Sequence, residues 1–192
     1  MAGELKTSGS IFVALLRGIN VGGKNMIRMS SLKESFERMG FDDVATYINS
    51  GNIIFKAHGS DARKLEREIE GMLSREYKLE CKVVVRSFSE MAALVRSLPE
   101  TWDGDGSWKY NVIFLRHAID SEDILSGLKP RSSGIEQVVY RPGTLLWSAR
   151  ISDLSRTSMH KLPSRKIFQE MTVRNTNTTK KLYELMKEMA DA

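Results

Sequence analysis

Three stretches of this chain combine residue types and spacings that could do chemistry. The first is Arg17-Gly-Ile-Asn-Val-Gly-Gly-Lys-Asn25, in which Gly18 to Lys24 fits the pattern G-x-x-x-x-G-K behind an apolar run. Glycines let backbone N–H groups converge on a phosphate, and the lysine reaches its outer oxygens. A nucleotide hydrolase needs Ser or Thr at the next position to hold Mg²⁺, and here that residue is Asn25. The pattern therefore fits an anion nest or a plain glycine-rich connection better than a hydrolase loop. The second stretch is Asn49-Ser50-Gly51-Asn52, whose asparagines suit either a hairpin turn or a ligand. The third is Arg174-Asn175-Thr176-Asn177 before a predicted helix, where free N–H groups and the helix dipole favour anions and Asn or Thr can equally serve as caps.

Other chemistry is poorly supported. Ser155 to Lys161 interleaves hydroxyls with cations and suits phosphate contacts or a solvated surface. His58, His117 and His160 are scattered, and Cys81 heads a predicted core strand, so no metal site is expected. Asp103-Gly-Asp-Gly-Ser107 resembles the start of a calcium loop, but Trp108 and Phe114 stand where its Gly and bidentate Glu are required. No serine sits in a G-x-S-x-G elbow. Trp102 and Trp108 are placed in a loop, and no ribonucleoprotein-type aromatic motif marks the strands.

The elements that must position these residues follow from hydrophobic periodicity. Met1 to Ser10 is expected to be a disordered tail. Ile11 to Leu16 reads as a strand, and Ser31 with Glu34 as the capping box of a helix. Val44 to Asn49 and Asn52 to Lys56 form a hairpin across Ser50-Gly51, and Asp61 caps a second helix. Cys81 to Arg86 is a further strand, and Ser87 or Ser89 caps an extra helix that Pro99 ends. The second half repeats the order more faintly: a strand at Asn111 to Leu115, a short helix at Ser121 to Gly127, and strands at Ile135 to Tyr140 and Thr144 to Ala149. A basic stretch then runs to Glu170, with a short strand at Met171 to Arg174 and a helix opening at Thr178. Arg86-Ser87 and Arg174-Asn175 stand at matching places. The fold class expected is α+β, two topologically similar ferredoxin-like (βαββαβ) subdomains, each followed by an extra helix. They would occupy 11–98 and 111–192, joined by a loop at 99–110, as one compact unit.

Charge localises the candidate. The 192 residues carry 29 Lys plus Arg against 24 Asp plus Glu, a net +5. Arg150 to Lys181 holds eight cations against two acids, Arg17 to Arg28 three against none, and the remainder is net −4. A single Cys excludes a disulfide framework, and the longest apolar run stops at Arg17, too short for a span or signal peptide. A cytoplasmic protein is expected.

The motifs Arg17 to Asn25 and Thr46-Tyr-Ile-Asn-Ser-Gly-Asn52, with Val83 to Ser87 and Thr172 to Thr178, resemble the bacterial domain-of-unknown-function family numbered 1697. The resemblance spans Ile11 to Met189 and implies an α+β fold of two subdomains, with no activity, substrate or cofactor attached. The functional expectation is a non-catalytic module binding an anion, a nucleotide or nucleic acid, without a cofactor. Arg17, Asn20, Gly22, Gly23, Lys24 and Asn25 would form one wall, with Asn49 and Asn52 nearby, and Lys161, Arg174, Asn175 and Asn177 the other. An enzyme acting on a phosphorylated small molecule, and an interaction or oligomerisation module, are the alternatives; no catalytic constellation identifies the first.

Overall fold

The computed structural model describes residues 9–23, 25–59, 61–103, 106–128 and 134–192. The first half runs β1 (Ser10–Leu16), α1 (Met29–Arg38), β2 (Asp42–Tyr47), β3 (Asn52–Ala57), α2 (Ala62–Tyr77), β4 (Val83–Ser87) and α3 (Phe88–Arg96). The second runs β5 (Trp108–Leu115), α4 (Ile124–Leu128), β6 (Glu136–Arg141), β7 (Thr144–Arg150), β8 (Met171–Asn175) and α5 (Thr176–Asp191). Two four-stranded antiparallel sheets result, in the orders β2-β3-β1-β4 and β6-β7-β5-β8. Strand for strand, these are the same order. Among the described residues, no helix is long and apolar enough to cross a membrane.

Alternation along the strands builds three cores. Phe12, Ala14 and Leu16 of β1 face α1 and α2, packing with Phe36, Leu65 and Ile69. Val13 and Leu15 face the other way, into a cluster that also takes Val112 and Phe114 of β5, Met91 and Leu94 of α3, and Leu182 and Met186 of α5. That middle cluster joins the halves by apolar burial, the dominant favourable term in such packing. Ile113 and Leu115 enter a third cluster with Trp147, Met159 and Leu162.

Several local expectations are corrected. The helix α1 begins at Met29, with Arg28 as its N-cap and no side-chain cap, so Ser31 and Glu34 lie inside the helix rather than boxing its end. The first hairpin closes over four residues, 48–51, instead of two, because Tyr47 already pairs with Asn52 and Ile48 adopts φ 48°. Gly51 at φ 70° is required there, since a Cβ would lie 2.8 Å from that of Leu16. The strand β5 starts at Trp108, three residues early, and α5 opens at Thr176, with Asn175 accepting from the Thr178 N–H at 2.7 Å. The basic stretch between β7 and β8 is three 3₁₀ turns (Ile151–Arg156, Ser158–Ser164 and Lys166–Glu170). Ser87 and Glu90 do form a reciprocal capping box at α3.

Two buried arginines at matching positions cross between the halves. Arg174 of β8 donates from Nη2 to the carbonyls of Leu16 and Ser50, both at 3.0 Å, and from Nε to Asn52 Oδ1 at 2.6 Å. Its Nη1 reaches Thr172 Oγ1 at 2.8 Å and the Val173 carbonyl at 2.9 Å. Arg86 of β4 mirrors it, donating from Nη2 to the Leu115 and Gly143 carbonyls and from Nη1 to the Val85 carbonyl. The receiving turns correspond too: Leu16 N–H donates to Gly51, and Leu115 N–H to Gly143. Each half thus offers the end of its first strand and its hairpin to the last strand of the other.

The two clasps differ in charge. Around Arg86 stand Glu66 and Glu90, both 3.9 Å away, and His117, whose Nδ1 lies 2.9 Å from Glu66 Oε1. Arg116 adds bridges to Glu70 at 2.9 Å and Glu170 at 2.5 Å. Hydrogen bonding to Glu66, then Glu90, raises the His117 imidazole to about 9. Burial pushes the Glu90 carboxyl up, but bonds from His117 and Ser87 outweigh it and hold it down at about 2. Burial lowers Arg174 to about 10, and no carboxylate among the described residues pairs with it.

Two outcomes are expected. Arg174→Met strands five acceptors and should destabilise the protein by at least about 3 kcal/mol in urea unfolding; a loss under about 1 kcal/mol would show that the clasp contributes little. The raised folded-state value of His117 stabilises the protein fully below its ordinary 6.5, and that contribution is lost as pH rises through about 9. Urea midpoints should therefore fall by the equivalent of about 2–3 kcal/mol between those values, and His117→Gln should flatten that slope.

Candidate functional site

The glycine-rich loop uses its polar side chains on itself. Asn20, at φ 55°, accepts from the Ile27 N–H at 2.7 Å and donates to the carbonyls of Ile27 and Asn49, both at 2.9 Å. Asn25 donates to the Gly18 carbonyl at 3.1 Å. Gly22 and Gly23 take positive φ in open, exposed positions, and Lys24 lies outside the described residues. Arg17 lays its guanidinium over the Phe168 ring, 5.0 Å from the centroid, which ties the loop to the second half.

Asn52 and Arg174 do come together, across 122 residues, but inside the protein. Asn52 is fully buried, giving its Oδ1 to Arg174 and its amide to the Tyr47 carbonyl and Ser50 Oγ. All five N–H groups of the Arg174 guanidinium meet protein acceptors. Arg174 and the 49–52 hairpin are therefore neighbours in a closed clasp rather than two walls of an open groove. Lys161 is exposed on the second 3₁₀ turn.

Asn175 and Asn177 face a different space. A cleft of about 520 Å³ is lined by Trp102, Trp108 and Tyr110 on one side and by Asn175, Thr176 and Asn177 at the start of α5 on the other, with Lys109 and Asn111 between. It exists because β8 stops pairing at Asn111–Asn175 while β5 continues back to Trp108 against β7 alone. Even positions of β5 send Trp108 and Tyr110 to one face, and Tyr110 stacks on Trp102 at 5.1 Å. Arg150 lies over Trp108, 5.7 Å from its centroid. Thr176 is 3% exposed, lines the cleft, and its Oγ1 has no hydrogen-bond partner. A sixteen-residue helix points its N-terminal dipole here, where an anion is favoured.

Reading Trp108 as loop hides the aromatic wall, since it is the first residue of β5. Its signal is the alternation Trp108, Tyr110, Val112, Phe114, which extends the strand by one period-two step on each repeat. No Asp, Glu or His stands among the described residues lining this cleft.

A family model described as "Protein of unknown function (DUF1697)" matches residues 10–146. Among solved structures, the conserved bacterial protein SP0830 from Streptococcus pneumoniae superposes with a TM-score of 0.81 at 25% identity, covering 92% of this chain and 98% of that one. The small subunit of acetolactate synthase from Thermotoga maritima aligns at 17% identity over 86% of this chain and 96% of its own, with a TM-score of only 0.22. No curated protein matches.

Proposed function

The chain belongs to the DUF1697 family, which carries no assigned activity, and from that premise we propose that it is a non-catalytic module binding a nucleotide in the cleft at the head of α5. One observation carries the reading: an aromatic wall, Trp108 and Tyr110, stands across from a helix N-terminus whose first residue, Thr176, holds a buried unpartnered hydroxyl. Rings stack on a base, and N–H groups with Lys109 receive a phosphate. The volume suits a mononucleotide rather than a strand.

Within this reading Asn175 and Asn177 keep the role expected of them, Lys109 replaces Lys161, and Arg174 holds the floor of the site from behind. We further infer that the two halves are one ferredoxin-like βαββαβ unit used twice. The identical strand orders and the mirrored arginines support that duplication. A cytoplasmic setting agrees with the buried free thiol of Cys81. The interaction alternative draws on a different surface, where Val21, Met26 and Ile48 are all more than half exposed around the glycine-rich loop.

Calorimetric titration with AMP and ADP at low salt tests the reading. Saturable binding that weakens as salt rises is expected, and Trp108→Ala should reduce affinity about 5- to 100-fold, the range for one lost stacking contact. No saturable binding of either nucleotide, or equal affinity in the Trp108→Ala variant, would overturn it.

A further inference from the structure

The two halves cover the outer faces of their sheets differently. In the first, α2 lies flush, with Leu65, Ile69, Met72 and Leu73 fully buried. In the second, the matching connection between β7 and β8 is the three 3₁₀ turns, and beneath them remains a cavity of about 270 Å³. Trp147, Met159 and Phe168 form much of its wall.

Asn111, Lys109, Thr157 and His160 are the polar residues of this largely apolar lining. Asn111 is 7% exposed and lines this cavity. Lys109 lies two residues away on the same face of β5, and His160 comes from the overlying turn. No carboxylate side chain lines the cavity among the described residues. Its chemistry is apolar in the body, with an amide donor and a cation at one end.

We propose that this cavity is a second binding site, for a medium-chain monocarboxylate whose carboxylate meets Asn111 and Lys109 and whose chain lies against Trp147, Met159 and Phe168. Lys109 and Asn111 border the nucleotide cleft as well, but Trp108 and Tyr110 lie on the opposite face of β5 and take no part in this site. An eight-carbon acid matches the volume. Octanol, which offers the same chain without the charge, should bind at least about tenfold more weakly, since a bond to a charged group is worth about 1.5–3 kcal/mol.

Calorimetry with sodium octanoate, sodium benzoate and octanol on the full chain decides it. The expected result is saturable octanoate binding that Lys109→Met and Asn111→Leu each weaken at least about tenfold, with Trp108→Ala leaving it unchanged. Because Lys109 is exposed, Lys109→Met reports on affinity without disturbing the core, even if Asn111→Leu folds poorly. No saturable binding of either carboxylate, octanol binding as tightly as octanoate, or octanoate affinity unaltered in Lys109→Met would overturn the proposal.

Discussion

A guanidinium buried in a protein must find an acceptor for each of five N–H groups held in a fixed plane, and only a precisely assembled set of carbonyls can supply them. Arg174 and Arg86 impose that demand in mirror fashion, and in each the Nη2 group is met by carbonyls of the other half. The acceptors of Arg174 are the end of β1 and the first hairpin, more than a hundred residues away in the chain. Those of Arg86 are the end of β5 and the second hairpin. Because each arginine sits one residue before the cap of a helix, the clasp also fixes where α3 and α5 begin. The apolar middle cluster holds the halves together, and the arginines decide their register.

The two halves differ in how their sheets are covered. Around Arg86 the polar groups are closed by Glu66, Glu90 and His117 into a network with few loose ends. Around β5, by contrast, β8 ends early, the covering layer is broken into 3₁₀ turns, and Thr176 Oγ1 is left without a partner. Buried polar groups without partners are costly, and they concentrate where a ligand completes them. Two sheets of the same strand order are thus covered by a flush helix in one half and by 3₁₀ turns in the other.

Much of the frame was legible in the chain. Period-two runs marked the strands, Asp61 and Ser87 marked helix starts, and the pairing of Arg86-Ser87 with Arg174-Asn175 exposed the repeat. What stayed hidden depended on distant contacts. A cation beside Asn reads as a surface ligand until the carbonyls of Leu16 and Ser50 are seen to surround it. Ser31 and Glu34 have the spacing of a capping box, yet the helix had already begun at Met29. Trp108 reads as loop because glycines and acids precede it, and only pairing with Arg150 makes it a strand. The glycine-rich loop looked like a phosphate cradle, whereas Asn20 and Asn25 brace it from within.

The account rests on Arg174 being a closed structural clasp while the anion enters at α5. Nitrogen-detected NMR of the arginine side chains, followed during an AMP titration, addresses that directly. Arg174 should show slowly exchanging, resolved Nη protons that do not move, while the backbone amide of Asn177 shifts with saturation. A guanidinium of Arg174 that exchanges freely and shifts with AMP, beside an Asn177 amide that stays still, would contradict it.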